Sequence, residues 1–293
     1  MFVVTLLSAR RDPRVSRTLV ETARGEIGEA EPRWLEPDVA CDLVTLHRPD
    51  AATAERLRRL ALDEGVDCVV QEAAGRRKRI LLADMDSTMI DQECIDELAA
   101  AIGIKDQVAA ITARAMNGEI AFEPALRERV ALLRGLPVST IADVIAGHIT
   151  LAEGGATLVR TMNASGAHTA LVSGGFTAFT QVIAERLGFA ENRANVLEIS
   201  GDTLSGTVAE PILGAEAKLA ALRDISLRLG TTPADAIAVG DGANDLPMIL
   251  AAGTGVAIHA KPAVAAKAPH RIDHGDLTAL LFLQGYRADD FVS

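Results

Sequence analysis

The sequence is poor in aromatic residues, which make up 3% of its 293 residues. Hydrophobic residues nevertheless reach 49% and charged residues 24%, so the apolar content comes from aliphatic side chains and intrinsic disorder is excluded as the default state. A chain of this length is long enough for about two domains, at roughly 100–200 residues each. The composition therefore predicts a folded protein with aliphatic cores.

Cysteine is also scarce, and long apolar runs are missing. Cys41, Cys68 and Cys94 have a spacing that fits neither a zinc site nor a disulfide framework, which predicts reduced thiols. No uncharged apolar run approaches the ~20 residues that cross a bilayer. The apolar stretch at residues 2–7 precedes its arginines, whereas a signal peptide carries its positive charge first. We therefore expect a cytoplasmic protein that does not bind membranes.

Positive charge is in deficit, since the formal net charge is −11. This balance argues against a nucleic acid or an anionic membrane as the partner, because both favour a basic face. It does not exclude a small anionic substrate, because a few local cations can reverse the sign of the field inside a cleft.

Residues 1–75 have the pattern of a small α+β domain. The apolar periodicity predicts strands, helices and extended stretches in the order βαββαβ, which is typical of a ferredoxin-like fold. The predicted segments are residues 2–7, 13–27, 33–36, 40–47, 51–62 and 66–71. The basic stretch at residues 75–79 is interpreted as a solvated connector to the next domain.

Residues 76–293 have a different pattern, in which unbroken apolar runs alternate with helical stretches. Such runs are typical of strands buried on both faces of a doubly wound parallel sheet, where ligands gather at the carboxyl ends of the strands. The runs lie at residues 80–83, 168–172, 236–239 and 254–258. A long insert at about residues 94–149 has helical spacing and predicts a helical cap over the strand ends.

Two aspartates, Asp84 and Asp86, directly follow the first of these runs. In an extended chain residues i and i+2 point the same way, so the two carboxylates can converge. Converging carboxylates repel each other unless a cation or a proton lies between them, and Mg²⁺ is a hard cation that also holds phosphate. The alternative is an Asp/Ser turn that caps the next helix.

The sequence Ser-Gly-Gly at residues 173–175 follows the second run. Glycines allow the backbone to approach an anion, with the Ser173 hydroxyl and the next helix N-terminus as donors. The alternative is a plain strand-to-helix turn.

Asp241 and Asp245 follow the third run, and two acids so close suit a metal, whereas a helix N-cap explains only one of them. Lys218, in a helical stretch, would alone be a solvated charge, but a phosphate site needs a fixed cation.

These four motifs, in the order acid pair, Ser-Gly-Gly, lysine and acid pair, closely resemble those of the haloacid dehalogenase superfamily over about residues 78–285. The resemblance implies a phosphatase in which Asp84 attacks phosphorus to form an aspartyl phosphate, and Asp86 acts as acid and then base. It also implies a Mg²⁺ ion bound by Asp84, the Asp86 carbonyl and Asp241, with Asp245 nearby. The implied contacts of the phosphoryl group are Ser173, Gly174, Lys218 and Asn244.

Within that superfamily, residues 84–93, 115–118 and 122–130 resemble the phosphoserine phosphatase family. The resemblance implies that Glu93 meets the substrate ammonium and that Arg129 meets its carboxylate, with Met116 and Phe122 as an apolar wall. A bidentate arginine suits a carboxylate. Without the surrounding motifs, Glu93 and Arg129 would be interpreted as a solvated helix face.

Several alternatives remain open at the level of the sequence. The chain could transfer phosphoryl groups to an alcohol instead of water, or it could be a phospho-acceptor without enzymatic activity. Phosphatases of this type often carry ferredoxin-like, ACT-type domains, which residues 1–75 resemble loosely. An amino-acid effector at this domain, a homodimer contact and an inert appendage are all compatible with the sequence.

Overall fold

A computed structural model describes residues 1–116 and 119–292, except for the side chains of Met116 and Ala215. The first sheet is antiparallel, with the strand order β2-β3-β1-β4, and two helices connect its strands. This topology confirms the predicted ferredoxin-like fold. Its elements are β1 Phe2–Leu7, α1 Arg17–Ile27, β2 Ala30–Glu36, β3 Ala40–Thr45, α2 Ala51–Asp63 and β4 Asp67–Glu72.

Side-chain caps set the starts of both helices in this unit. The Ser16 hydroxyl accepts a hydrogen bond from the Leu19 amide at 3.1 Å, and Asp50 accepts one from the Thr53 amide at 2.7 Å. These bonds satisfy amides that a helix N-terminus leaves unpaired. The helix predicted from residue 13 therefore begins only at Arg17.

The second sheet is parallel, has six strands and has the order β12-β11-β10-β5-β6-β7. This confirms the predicted α/β fold. The elements up to the second core strand are β5 Ile80–Ala83, α3 Cys94–Ala101, α4 Lys105–Met116, α5 Phe122–Leu132, α6 Ser139–Gly147, α7 Gly155–Ala164 and β6 His168–Phe176. The remaining ones are α8 Thr177–Leu187, β7 Glu191–Asn195, β8 Leu197–Ser200, β9 Thr203–Val208, α9 Ala215–Arg228, β10 Ala236–Gly240, α10 Leu246–Ala251, β11 Thr254–Ile258, α11 Pro262–Ala265, β12 His270–Ile272 and α12 Ala279–Leu283.

The insert between β5 and β6 contributes helices α3 to α6, as the sequence predicts. Phe122 at the start of α5 lies against two glycines of the strand-end loops. A Cβ atom placed on Gly174 or on Gly214 would lie 3.3 Å from the Phe122 ring. The cap is therefore closed onto the carboxyl edge of the sheet.

The N-terminal sheet packs against the C-terminal end of the chain. Leu7 and Val69 belong to the same buried core as Leu280 and Leu283 of α12. The connector between the two sheets is held as well. The Arg76 guanidinium pairs with Asp42 at 2.6 Å. The Arg77 guanidinium lies 3.7 Å from the Tyr286 ring centroid. The Lys78 amide donates to Gln284 Oε1 at 3.0 Å. The interpretation of residues 75–79 as a solvated connector is thus only partly right.

The three cysteines are free thiols, as predicted. Leu6 of the central strand β1 lies between Cys41 and Cys68, so these two thiols are separated by a strand. Burial raises the pKa of both thiols to about 12, which makes them poor nucleophiles. No helix in the described part of the chain has the length and apolar character needed to cross a membrane.

Candidate active site

Asp84 lies directly after β5, where its amide donates to the Val239 carbonyl of the neighbouring strand β10 at 3.0 Å. The carboxylate thus faces the carboxyl edge of the parallel sheet, where ligands bind in such folds. The Lys218 ammonium of α9 lies 2.5 Å from Asp84 Oδ1 and 2.5 Å from Asp245 Oδ1. The predicted lysine and the two predicted acids therefore meet in one buried cluster.

The charges in this cluster depend on each other. Burial disfavours the charged form of Lys218, but Asp84 and Asp245 outweigh that effect and raise the pKa of the ammonium. Burial, together with the charge of Asp245, raises the pKa of Asp84 well above its ordinary value, against the opposing effect of Lys218. One buried cation does not compensate two or more carboxylates, so a further positive charge would stabilise the site.

The carboxylates of Asp84, Asp241 and Asp245 have oxygen atoms within 4.8 Å of one another. Burial and the nearby Asp245 charge raise the pKa of Asp241 to about 6. Such a set of oxygen ligands fits a hard divalent cation, which would lower these pKa values. Asp245 Oδ2 also accepts the Gly242 amide at 2.9 Å, which fixes the turn after β10.

Asp86 connects the cap to the second core strand. Its Oδ1 accepts the Cys94 amide at the start of α3 at 2.9 Å, and its Oδ2 accepts the Ser173 hydroxyl at 3.2 Å. Burial raises the pKa of Asp86, against the opposing effect of these hydrogen bonds. The Ser-Gly-Gly sequence is part of β6 rather than a turn after it, because this strand runs to Phe176 with a register shift after Val172. This irregular strand end turns Ser173 towards Asp86.

A cavity of about 890 Å³ opens between the cap and the sheet edge. Its described lining includes eight of the predicted site residues, namely Asp84, Asp86, Glu93, Phe122, Arg129, Gly174, Asp241 and Asn244. Ser173 and Lys218 do not line the cavity, but each contacts a carboxylate that does. The side chain of Met116 lies outside the described residues, so its predicted place in the wall stays a prediction.

Glu93 and Arg129 face this cavity from the cap. Burial and the charge of Asp86 raise the pKa of Glu93 to about 7, and the Ser87 hydroxyl donates to this carboxylate at 3.0 Å. Burial lowers the pKa of Arg129, whose guanidinium donates to the Ala125 carbonyl at 3.3 Å. Among the described side chains, no carboxylate lies within ion-pair distance of Arg129. A buried cation without an anionic partner can bind an anionic group of a ligand.

Asn195 is a positioning residue that sequence reasoning missed. It lies at the end of β7 and is buried. Its amide nitrogen donates to the Gly174 carbonyl at 2.8 Å and to the Leu213 carbonyl at 3.2 Å, and its oxygen accepts the Leu213 amide at 2.7 Å. It thus connects the Ser-Gly-Gly strand end to the loop before the Lys218 helix. A polar residue at the end of a short polar strand carries no distinct signal in the sequence.

A second residue without an assigned role in the sequence is Thr88. Its hydroxyl donates to Asp241 Oδ1 at 3.3 Å, which connects the loop after β5 to the loop after β10. Thr88 lies two residues after Asp86, and this position next to the first acid pair is the available signal in the sequence.

Comparison with known proteins places this site in a family. Residues 81–250 match the family model described as haloacid dehalogenase-like hydrolase. This range contains each of the predicted site residues.

Two curated relatives and one solved structure illustrate the similarity. The phosphoserine phosphatase of Archaeoglobus fulgidus is 43% identical over 241 residues, which cover 81% of this chain and 70% of that protein. The phosphoserine phosphatase of a Polaromonas species is 45% identical over 210 residues, or 70% of this chain and 89% of that protein. The crystal structure of a HAD family hydrolase from Salmonella enterica serovar Typhi has a TM-score of 0.85 and 30% identity, and covers 96% of this chain and 98% of that one.

Proposed function

The chain belongs to the haloacid dehalogenase-like hydrolases, and we propose that it is a phosphoserine phosphatase that hydrolyses O-phosphoserine to serine and phosphate, the last step of serine biosynthesis. The observation that carries this proposal is the distribution of charge around one cavity. An acidic cluster with a buried lysine lies at the sheet edge, and a glutamate and an arginine that pairs with no described carboxylate face it from the cap. Phosphoserine carries a phosphate, an ammonium and a carboxylate, so each of its charged groups has a partner.

Asp84 is the nucleophile in this proposal. One of its carboxylate oxygens forms a bond to phosphorus while the bond from phosphorus to the serine oxygen breaks. Asp86 donates its proton to the departing serine oxygen, and its raised pKa supports a protonated starting state. In the second step Asp86 takes a proton from water, which attacks phosphorus, releases inorganic phosphate and restores the Asp84 carboxylate.

The acidic cluster is the proposed Mg²⁺ site, with Asp84, the Asp86 carbonyl and Asp241 as ligands and Asp245 in support. The charge surplus of the cluster and its oxygen donors support this assignment. When bound, Mg²⁺ supplies positive charge that neutralises the phosphoryl oxygens and favours the ionised form of Asp84. Lys218 already holds Asp84 and Asp245 in place at 2.5 Å each.

The remaining residues bind and orient the substrate. Ser173, Gly174, Lys218 and Asn244 are the proposed contacts of the phosphoryl oxygens. Glu93 binds the ammonium, Arg129 binds the carboxylate, and Phe122 closes the cavity against Gly174. A charged partner for each group of the substrate makes binding selective, because an analogue that lacks one group leaves a buried charge unpaired.

Some predictions from the sequence stay predictions. These are the domain boundary near residue 75, the cytoplasmic location, a homodimer, an amino-acid effector at the N-terminal unit and the apolar contact of Met116.

The test is phosphate release from a panel of phosphate esters, with Mg²⁺ and with EDTA. We expect phosphoserine to be hydrolysed faster than phosphothreonine, phosphoethanolamine and phosphoglycolate, and EDTA to stop the reaction. Preference for another ester would refute the assignments of Glu93 and Arg129 but leave the phosphatase chemistry. Transfer to an added alcohol in place of water would identify a phosphotransferase. A stable aspartyl phosphate without turnover would identify a phospho-acceptor.

A further inference from the structure

Lys261 lines the cavity and is positively charged, whereas most of the charged residues that line the cavity are acidic. The described lining contains five carboxylates and two cationic side chains, which are Asp84, Asp86, Glu93, Asp96, Asp241, Arg129 and Lys261. The Lys261 amide approaches the Asp241 carbonyl at 3.4 Å, and its charge opposes the effect of burial on the pKa of Asp241. No described carboxylate forms an ion pair with Lys261. Its ammonium is therefore free for an anionic ligand.

The conformation of the loop that carries Lys261 is stabilised by hydrogen bonds to other segments, and not by the intrinsic backbone preference of its residues. It follows β11, and its first residue, His259, has a φ of 43°, in the left-handed region that costs energy for residues other than glycine. The His259 amide donates to the Ile272 carbonyl at 2.8 Å, and the ring Nε2 donates to the Gly275 carbonyl at 2.9 Å. The position of Lys261 thus depends on the turn at residues 273–275.

The turn at residues 273–275 is held by the N-terminal sheet. Asp67, the first residue of β4, is buried and accepts three backbone amides with its two carboxylate oxygens. The donors are Asp273 at 2.8 Å, His274 at 3.0 Å and Gly275 at 2.8 Å. Leu7, the partner of Asp67 in the adjacent strand, leaves no room for a side chain at Gly275, where a Cβ would lie 2.8 Å from its methyl group. The N-terminal unit therefore fixes this turn by both charge and packing.

We propose that Asp67 is a positioning residue of the active site, which acts through the 273–275 turn and His259 to place the Lys261 ammonium at the cavity, where it attracts the anionic substrate. The chain of hydrogen bonds from Asp67 to His259 is continuous, and each bond has ordinary length. The alternative is that Asp67 only stabilises the contact between the two sheets. The proposal rests on the proposed phosphatase activity for its kinetic readout, and phosphate binding provides an independent one.

The kinetic test is a double-mutant cycle between Asp67→Asn and Lys261→Met in the full-length chain. Each variant removes a charge at nearly constant size. We expect each to lower kcat/KM about tenfold, mainly through KM, and Lys261→Met to weaken the dependence of kcat/KM on ionic strength. In the Lys261→Met background, Asp67→Asn should cause no further loss, because both act on the same interaction. Asp63→Asn, an exposed acid on α2, is the matched control and should behave like the wild type.

Three results of this kinetic test would overturn the proposal. The first is an Asp67→Asn protein with a lower Tm but unchanged KM well below that temperature, since this marks a purely structural role. The second is an unchanged KM in Lys261→Met. The third is an equal loss from Asp67→Asn in both backgrounds, which means that Asp67 acts by another route.

Two additions keep the test decisive. If Asp67→Asn does not fold, His259→Asn replaces it in the cycle, because asparagine tolerates a positive φ but is too short for the bond to Gly275. Calorimetric titration with inorganic phosphate in the presence of Mg²⁺ needs no turnover. We expect about tenfold weaker binding in Lys261→Met and in Asp67→Asn, and equal binding in the variants and the wild type would overturn the proposal. A wild type that binds phosphate but does not hydrolyse phosphoserine would refute the proposed function alone.

Discussion

Arg127 and Arg129 lie two residues apart on α5 but have different surroundings. Arg127 is exposed and pairs with Glu210, whereas Arg129 is largely buried and faces the cavity. We expect Arg129→Ala to lower kcat/KM for phosphoserine by about 10- to 100-fold, because hydrogen bonds to charged groups contribute about 1.5–3 kcal/mol. Phosphoethanolamine, which has no carboxylate, should lose much less. Steady-state kinetics on both esters measure this difference.

Arg127→Ala is the control for this comparison. It removes the same side chain from the same helix, and exposed ion pairs contribute little. It should leave both kinetic constants close to those of the wild type. Equal losses on the two esters in Arg129→Ala would contradict the assignment of this residue to the carboxylate.

Glu93 gives the free protein a pH dependence of stability. Its folded pKa of about 7 lies above its value in an unfolded chain, so the folded state binds a proton that the unfolded state releases between about pH 4.5 and 7. The free energy of unfolding therefore falls as the pH rises through this window. Glu93→Gln removes this contribution and should be the more stable protein at pH 8, by less than the full pKa shift implies, because the Glu93 side chain is exposed and water screens its charge.

Urea unfolding in EDTA at pH 5, 6, 7 and 8 measures this effect. Asp84, Asp86 and Asp241 have raised pKa values too and give a slope of the same sign, so the difference between wild type and Glu93→Gln is the relevant quantity. If the difference in free energy of unfolding between the wild type and Glu93→Gln does not change with pH, then Glu93 has an ordinary pKa.

Whether the role of a single residue could be predicted from the sequence depends on the surroundings of its side chain. Asp84, Asp86, Asp241 and Asp245 were predictable because acids that follow buried apolar runs must converge at one sheet edge. Asn195 and Lys261 were not, since a lone amide or ammonium in a polar stretch has the same pattern as a solvated residue. Their surroundings come from segments far away in the chain.

At the scale of the element, the end of β6 has no room for a side chain at Gly175. A Cβ there would lie 2.9 Å from Asp86 Oδ2 and 3.0 Å from Ser173 Oγ. Gly175→Ala should therefore displace the proposed acid–base group, with a fall in kcat on the order of 100-fold, which is the cost of about 1 Å of misplacement. The folded structure should persist, as circular dichroism can verify.

Gly147→Ala is the matched control, because its Cβ would meet nothing within 4 Å and Gly147 is the last residue of helix α6, outside the described lining of the cavity. This variant should keep wild-type turnover. Wild-type kcat in Gly175→Ala would contradict the close approach of Asp86 to this strand.

The strands that were predicted and those that were missed differ in burial. The runs that became β5, β10 and β11 are central and buried throughout, so their apolar composition reveals them. β7 and β12 lie at the two edges of the sheet, are short and contain polar residues. An edge strand needs burial on fewer sides, and its sequence pattern is correspondingly weak.

At the scale of the whole molecule, the two sheets were predictable separately, but their contact was not. The sequence pattern shows which face of an element is apolar but not which other element covers it. In the structure Leu35 and Val69 of the first sheet join the core formed by α12, and Gln71 donates to the Leu283 carbonyl at 2.7 Å. The two units therefore share a buried interface.

This shared core predicts one cooperative unfolding transition for the 293 residues. Calorimetry in EDTA should give a single peak with an enthalpy on the order of 200 kcal/mol near 60 °C, at about 0.7 kcal/mol per residue. The van't Hoff and calorimetric enthalpies should agree. If Mg²⁺ binds the folded state at the acidic cluster, as proposed, it should move the whole peak to higher temperature.

Leu7→Ala tests the contact itself, because Leu7 is fully buried between the two units. The cavity it leaves should cost about 2–5 kcal/mol and lower the midpoint of the same single peak. Leu62→Ala, at an exposed leucine of α2, should change the midpoint little. Two separate peaks in the wild type, of which Mg²⁺ moves only one, would mean that the units unfold independently. In that case the contact between the two units would be too weak to couple their unfolding.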